Sequence, residues 1–211
     1  MKFDLEKIKA TLIQNQGSYN LSKDMLKISS IVVPIYVNHQ GYDGIILTKR
    51  SDYLKSHPGQ VSFPGGMYSP DEDKNLLETA LREWEEETGE SKSTLEVVGK
   101  YQEIAVRTGF HITPYIAVYK GGFSFPFNKE EVDFMFLLHL SDLEQMPFYK
   151  MPIQDRYYPE IYYLQHPRCL IWGATCQILI HFLKDFCGFQ KEGISVKPNL
   201  MHPPFFDPNL L

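Results

Sequence analysis

An α/β layered domain built on a mixed sheet is the fold class this sequence predicts, on three observations. Apolar, β-branched runs of strand length alternate with stretches of helical periodicity. The 211 residues suit one domain with extensions, and a folded chain of that size hides roughly 70% of the surface its unfolded form exposes. The composition is globular, 43% apolar and 22% charged with a 14% aromatic share. The chain therefore reads as a single domain over 1–211. A helical extension covers 1–27 and a tail of unassigned type covers 187–211.

The elements follow in order. Phe3, Leu5, Ile8, Leu12 and Ile13 recur at helical spacing over 3–16, with Gly17 as the stop. The runs at 30–37 (SIVVPIYV) and 44–49 (GIILTK) read as two strands joined across the turn-prone NHQGYDG. Pro34 within the first run predicts an edge position or a bulge. Residues 52–70 are rich in Gly, Pro, Ser and His and read as loop, with one short strand at 61–63. A strong helix pattern covers 74–88 and stops at Gly89. Further strands fit 95–98, 112–118 and 134–138, and a final helix fits 171–186.

The formal charge of −5 offers no broad basic field for a nucleic-acid backbone, so none is expected as a partner. A small anionic ligand responds to local potential instead, although an acidic protein needs a cation to hold one. Cys169, Cys176 and Cys187 show no CxxC spacing and read as reduced, buried thiols. The N-terminal MKFDLEKIKA carries charges where a signal peptide needs an apolar run. The apolar stretch 170–183, interrupted by Gln177 and His181, is too short for a bilayer. The expectation is a cytoplasmic protein without membrane contact.

On a helical wheel, Leu76, Leu77, Ala80, Leu81 and Trp84 share one arc facing a core, and Arg82, Glu83, Glu86 and Glu87 fall on the adjacent arc, Glu87 at the border. Carboxylates three and four residues apart are neighbours that repel. A solvated charged face is the plainer reading, but two features argue for a site. The loop Phe63-Pro64-Gly65-Gly66 lets backbone come close to a ligand, and Arg82 stands in the same turn, able to orient one carboxylate. Hard oxygen donors sharing a focus are what Mg²⁺ or Mn²⁺ takes, together with phosphate oxygens.

These residues resemble the Nudix box, G-x5-E-x7-R-E-U-x-E-E-x-G-U, where U is bulky and aliphatic. Arg82, Glu83, Trp84, Glu86, Glu87 and Gly89 align with its R-E-U-x-E-E-x-G core. The resemblance implies a Nudix fold, an α/β/α sandwich around a mixed sheet. It also implies that Glu83, Glu86 and Glu87 bind divalent metal while Arg82 orients a glutamate. Departures are Trp84 and Glu90 in aliphatic places, Lys74 where the family keeps its first glutamate, and Gly66 two residues early. Asp71, Glu72 or Asp73 would substitute for that glutamate.

Upstream, residues 46–66 (ILTKRSDYLKSHPGQVSFPGG) are similar to the signature L-L-T-x-R-S-x-x-L-R-x-H-x-G-x-V-x-F-P-G-G of coenzyme A pyrophosphatases within that superfamily. Segments 109–115, 131–132 and 171–175 agree as well, so the resemblance spans about 30–185. It implies hydrolysis of coenzyme A, or an acyl derivative, to adenosine 3′,5′-bisphosphate and 4′-phosphopantetheine or its acyl form. Lys49, Arg50, Lys55 and His57 make a local basic cluster suited to phosphate contacts, each with a solvent-facing charge as the alternative, and Gly65 and Gly66 complete the substrate loop. For the general base the candidates are a helix glutamate or Glu131. ADP-ribose, a nucleotide sugar or a dinucleoside polyphosphate remain alternative substrates, and a non-catalytic nucleotide sensor an alternative role. The aromatic, proline-rich tail suggests packing on the domain or on a second subunit, hence a homodimer.

Overall fold

The computed structural model describes residues 1–14, 26–153, 159–196 and 204. Helix α1 (Leu5–Gln14) buries Ile8 and Leu12, and the Asp4 carboxylate accepts the Lys7 N–H at its start. Gly17, the expected stop, lies outside the described residues.

Strands β1 (Lys27–His39) and β2 (Tyr42–Arg50) form the expected antiparallel hairpin, with Ile35 opposite Ile45 and an irregularity before His39. Next come β3 (Val61–Ser62), β4 (Gly65–Met67), helix α2 (Leu76–Thr88), β5 (Leu95–Lys100), β6 (Ile104–Val106), β7 (Phe110–Tyr119) and β8 (Val132–His139). The sheet runs β3-β2-β1-β7-β5, with β4 paired to β1, β6 to β7 and β8 to β2. The β1–β7 pairing is parallel and its neighbours are antiparallel, so the sheet is mixed.

Pro34 does not mark an edge or a bulge, since β1 lies in the middle of the sheet and Pro34 pairs with Ala117. Val32 gives its N–H to Pro64 O on the β4 side. By alternation the N–H that Pro34 lacks falls on that same side, where β1 changes partner from β4, which ends opposite Ile31, to β2, which begins opposite Ile35. No ladder bond is lost there.

Alternation fills both faces of the sheet. Val33, Ile35, Ile45 and Leu47 join the larger core, shared with α1 and with α3 (Gly173–Cys187). Val32, Tyr36 and Ile46 join a smaller one with Ala80 and Trp84 of α2. Burying one such large side chain contributes about 1.5–3 kcal/mol. The predicted apolar arc of α2 is rotated in the structure. Thr79, Ala80, Trp84, Glu87 and Thr88 are buried, while Leu76, Leu77 and Leu81 are half-buried. Asn75 caps α2 by accepting the Glu78 N–H at 3.0 Å, and Gly89 ends it at φ 70°.

A second sheet, β9 (Phe148–Pro152), β10 (Glu160–His166), β11 (Cys169–Trp172) and β12 (Ile194–Ser195), runs in the order β11-β10-β9-β12. The predicted helix at 171–186 starts two residues later, because Ile171 and Trp172 pair with Leu164 and Tyr163 to finish β11. All three cysteines are free thiols. No described helix is long and apolar enough to cross a membrane.

Candidate active site

Helix α2 packs across β1 and β4, which brings its acidic side onto the glycine loop. A Cβ at Gly66 would overlap the Glu83 carboxyl group, and one at Gly65, where φ is 156°, would overlap the Ser30 carbonyl and Ile31. Gly65 cannot carry a side chain against that backbone, while one at Gly66 would displace the Glu83 carboxyl group.

Arg82 organises the N-terminal half of the cluster. Its Nη1 donates to Glu83 Oε1 at 2.8 Å and to Glu86 Oε2 at 3.0 Å. On its other side Nε and Nη2 grip Asp73 at 2.9 and 3.1 Å, a two-pronged carboxylate contact. Asp73 also accepts the Ser69 N–H and the Thr79 hydroxyl, each at 3.0 Å. Arg82 chiefly, helped by Ser69 and Thr79, holds the Asp73 carboxyl down at about 2 against the opposing effect of burial. Asp71 and Glu72 are exposed. Asp73 thus supplies the acid that the spacing left unassigned, and it faces the arginine.

Glu87 is placed differently. It is 2% exposed, with Oε1 at 3.4 Å from Arg50 Nη1, while Oε2 and the facing arginine's Nε have no hydrogen-bond partner. Burial pushes its carboxyl up to about 8, with Glu83 and Glu131 adding and Arg50 and the Gly65 N–H opposing. Burial also raises Glu83, against the pull of Arg82, and Glu86 and Glu131 add to the rise. Glu131, half-buried at the start of β8, therefore acts electrostatically on both helix glutamates. Its carbonyl accepts the Ser51 N–H at 2.8 Å.

A family model described as the NUDIX domain matches residues 25–159 of this chain. The chain belongs to the Nudix hydrolases. It is 35% identical over 163 residues to the Nudix hydrolase NudL of Yersinia pestis (strain Pestoides F), itself uncharacterized, covering 74% of this chain and 78% of that one. NudL of Yersinia pseudotuberculosis (serotype IB, strain PB1/+) gives the same figures. Among solved structures, the NUDIX domain of Shewanella oneidensis NrtR complexed with ADP ribose has a TM-score of 0.47 at 20% identity, covering 65% of this chain and 87% of that one. A C. elegans Ap4A hydrolase binary complex has a TM-score of 0.47 at 17% identity, covering 56% and 83%.

Nudix hydrolases act on phosphoanhydride bonds of small nucleotide substrates and generally use divalent metal ions. In this Nudix hydrolase no three His, Cys, Asp or Glu side chains among the described residues stand as a formed ion site, and Arg82 holds Glu83 and Glu86. The donor set still fits a hard divalent cation. It is all carboxylate, Glu87 Oε2 is buried without a partner, and Glu131 is near enough to both Glu83 and Glu87 to disfavour their charged forms.

Of the four basic residues singled out from the sequence, only Arg50 reaches the glutamates of this Nudix hydrolase. Lys49, one residue earlier on β2, points to the opposite face, over the Phe134 ring, and pairs with Asp133 at 2.9 Å and Asp52 at 3.2 Å. Lys55 and His57 are exposed on the loop between β2 and β3, where His57 Nδ1 lies 3.1 Å from Gln60 Oε1.

Proposed function

We propose that this Nudix hydrolase cleaves the diphosphate linkage of coenzyme A or acyl-coenzyme A, with Mg²⁺ or Mn²⁺ as cofactor. The products are adenosine 3′,5′-bisphosphate and 4′-phosphopantetheine or its acyl form. The observation that carries the reading is the contact between Arg50 and Glu87. It joins the coenzyme A-type segment 46–66 to the acidic helix, and Gly66 against Glu83 joins them again. Two adjacent motifs thus meet through residues 37 apart in sequence.

Glu83, Glu86 and Glu87 would hold the divalent ion, which when bound neutralises diphosphate oxygens and acidifies water. Arg82 orients Glu83 and Glu86, and Asp73 fixes Arg82 from behind. Glu131, facing Glu83 and Glu87, takes the proton of the attacking water. Arg50 faces the buried Glu87 carboxyl, Gly65 and Gly66 let the strand lie close against Ser30, Ile31 and the Glu83 carboxyl beside the substrate, and Lys55 and His57 offer positive charge to phosphate from the loop. Lys49, held by Asp133 on the other face, is left out of the site.

The test is a product analysis with Mg²⁺ or Mn²⁺ on coenzyme A, acyl-coenzyme A, ADP-ribose and dinucleoside polyphosphates. Coenzyme A or its acyl form is expected to turn over fastest. ADP-ribose cleaved well ahead of both would overturn the substrate assignment and leave the reaction type standing. Absence of turnover on the whole panel would point to a nucleotide-sensing role.

A further inference from the structure

The loop between β2 and β3 is closed tightly at its neck and carries an aromatic side chain that does nothing for the fold. Arg50 N donates to Gln60 O at 2.9 Å, Gly59 N to Ser51 O at 3.4 Å, and Ser51 N to Glu131 O at 2.8 Å. Within the loop, Ser51 Oγ accepts the Tyr53 N–H, and Leu54 N and Gln60 N bond back to Ser51 O and His57 O. The Asp52 carboxylate sits where a side chain at Gly59 would stand, with Gly59 at φ 67°. It also takes the Lys49 ammonium. His57, at φ 53°, bonds Gln60. Each of these residues has a structural task.

Tyr53 and Lys55 have none. Tyr53 is 97% exposed, and among the described residues neither its ring nor the Lys55 ammonium has a partner. An exposed tyrosine ring in water sacrifices the burial that makes aromatics useful to a core. Here it stands two residues from an unpaired cation, on a loop fixed to the active site at both ends. Tyr53 is three residues beyond Arg50, whose guanidinium lies at Glu87, so the two α-carbons are at most about 10 Å apart. An aromatic plane beside a cation complements a heterocyclic base that carries phosphate. The coenzyme A-type signature leaves position 53 open, while Lys55 stands where it has an arginine.

We infer that Tyr53 is a stacking platform for the base of the nucleotide substrate, with Lys55 beside it receiving a phosphate of the same nucleotide. The inference rests on the hydrolase reading above and adds a specificity residue to it. In that site the glutamates act on the diphosphate while the loop tip holds the nucleoside half.

The test uses etheno-adenosine monophosphate, a fluorescent adenine nucleotide with no phosphoanhydride to cleave, titrated with the full chain in Mg²⁺. Wild type is expected to quench its fluorescence. Tyr53→Phe keeps the quenching, and Tyr53→Ala loses it and weakens binding about tenfold, the range of base–aromatic stacking. In steady-state hydrolysis Tyr53→Ala raises KM by a similar factor with kcat little changed, as loss of uniform binding requires. Wild-type affinity in Tyr53→Ala, or no quenching by wild type, overturns the stacking role. Failure of Tyr53→Phe to preserve the quenching also overturns it, because the hydroxyl would then be the contact. Quenching without turnover of any diphosphate would sink the hydrolase reading and leave the stacking site intact.

Discussion

The two ends of α2 each present a buried carboxylate to an arginine, with opposite outcomes. Asp73, just ahead of the helix, is gripped by both prongs of Arg82 and by two further donors, and its carboxyl is held low. Glu87, in the last turn, has one long contact to Arg50, an oxygen without a partner, and a carboxyl pushed up by burial. A buried charge that is fully bonded supports the structure, whereas one left short of partners costs stability and is retained for another use. On the proposed reading, Asp73 is the scaffold acid and Glu87 the working one, a distinction the sequence motif does not draw.

Neutralising the working acid should give the largest effect and the sharpest contrast. Glu87→Gln is expected to lower kcat by about a hundredfold or more, on the order of losing a supported metal ligand, while its melting temperature stays close to that of the wild type. Burial already favours the uncharged carboxyl of Glu87 in the absence of metal, so an uncharged amide of the same shape changes little in the fold. Near-normal kcat in this variant would show that Glu87 is not a ligand.

Asp73→Asn should act the other way, chiefly on stability. It leaves Arg82 without its main partner and is expected to cost about 2–3 kcal/mol in urea unfolding at neutral pH, with a secondary tenfold to hundredfold fall in activity as Glu83 and Glu86 lose their guide. The sign of the pH dependence follows from the folded carboxyl lying near 2, below its ordinary 3.8. The folded state binds the proton more weakly, so the contribution is present above about pH 4 and lost as pH falls through about 2. The stability gap between wild type and Asp73→Asn should therefore close over that window. A gap that stays constant to pH 2 would mean the Arg82 contact does not stabilise the fold.

The smallest effect is expected at Lys49→Gln. Its pairs with Asp133 and Asp52 lie near the surface, where such contacts contribute up to about 1 kcal/mol, and its side chain faces away from the glutamates. Activity should change less than twofold. A large loss of kcat would place Lys49 on the catalytic face after all.

Much of this arrangement was legible before the structure. The β1–β2 hairpin announced itself through two β-branched runs around a polar turn, and α2 through its periodicity and Gly89. The second sheet was not legible, because β10 (EIYYLQH) lacks clean alternation and is only partly buried; in the first sheet β4 was missed, being three residues that include two glycines. Pro34 misled because the rule for proline in strands concerns which side needs an N–H, and a change of strand partner is invisible in one sequence. In the candidate site, the glutamate cluster and Arg50 were singled out from their spacing and motif. The pairing of Arg50 with Glu87 joins residues 37 apart, which only the folded sheet can bring about. Asp73 was one of three neighbouring acids, and choosing among them required knowing where the chain turns at Ser69.

That turn has a wider consequence. Because Asp73 arrives at Arg82 from outside the helix, the contact depends on a point of arrival in space and not on the number of residues spent getting there. A motif written as fixed intervals measures the path and not the destination. Chains whose connecting segment has lengthened can keep the same internal architecture while failing such a pattern.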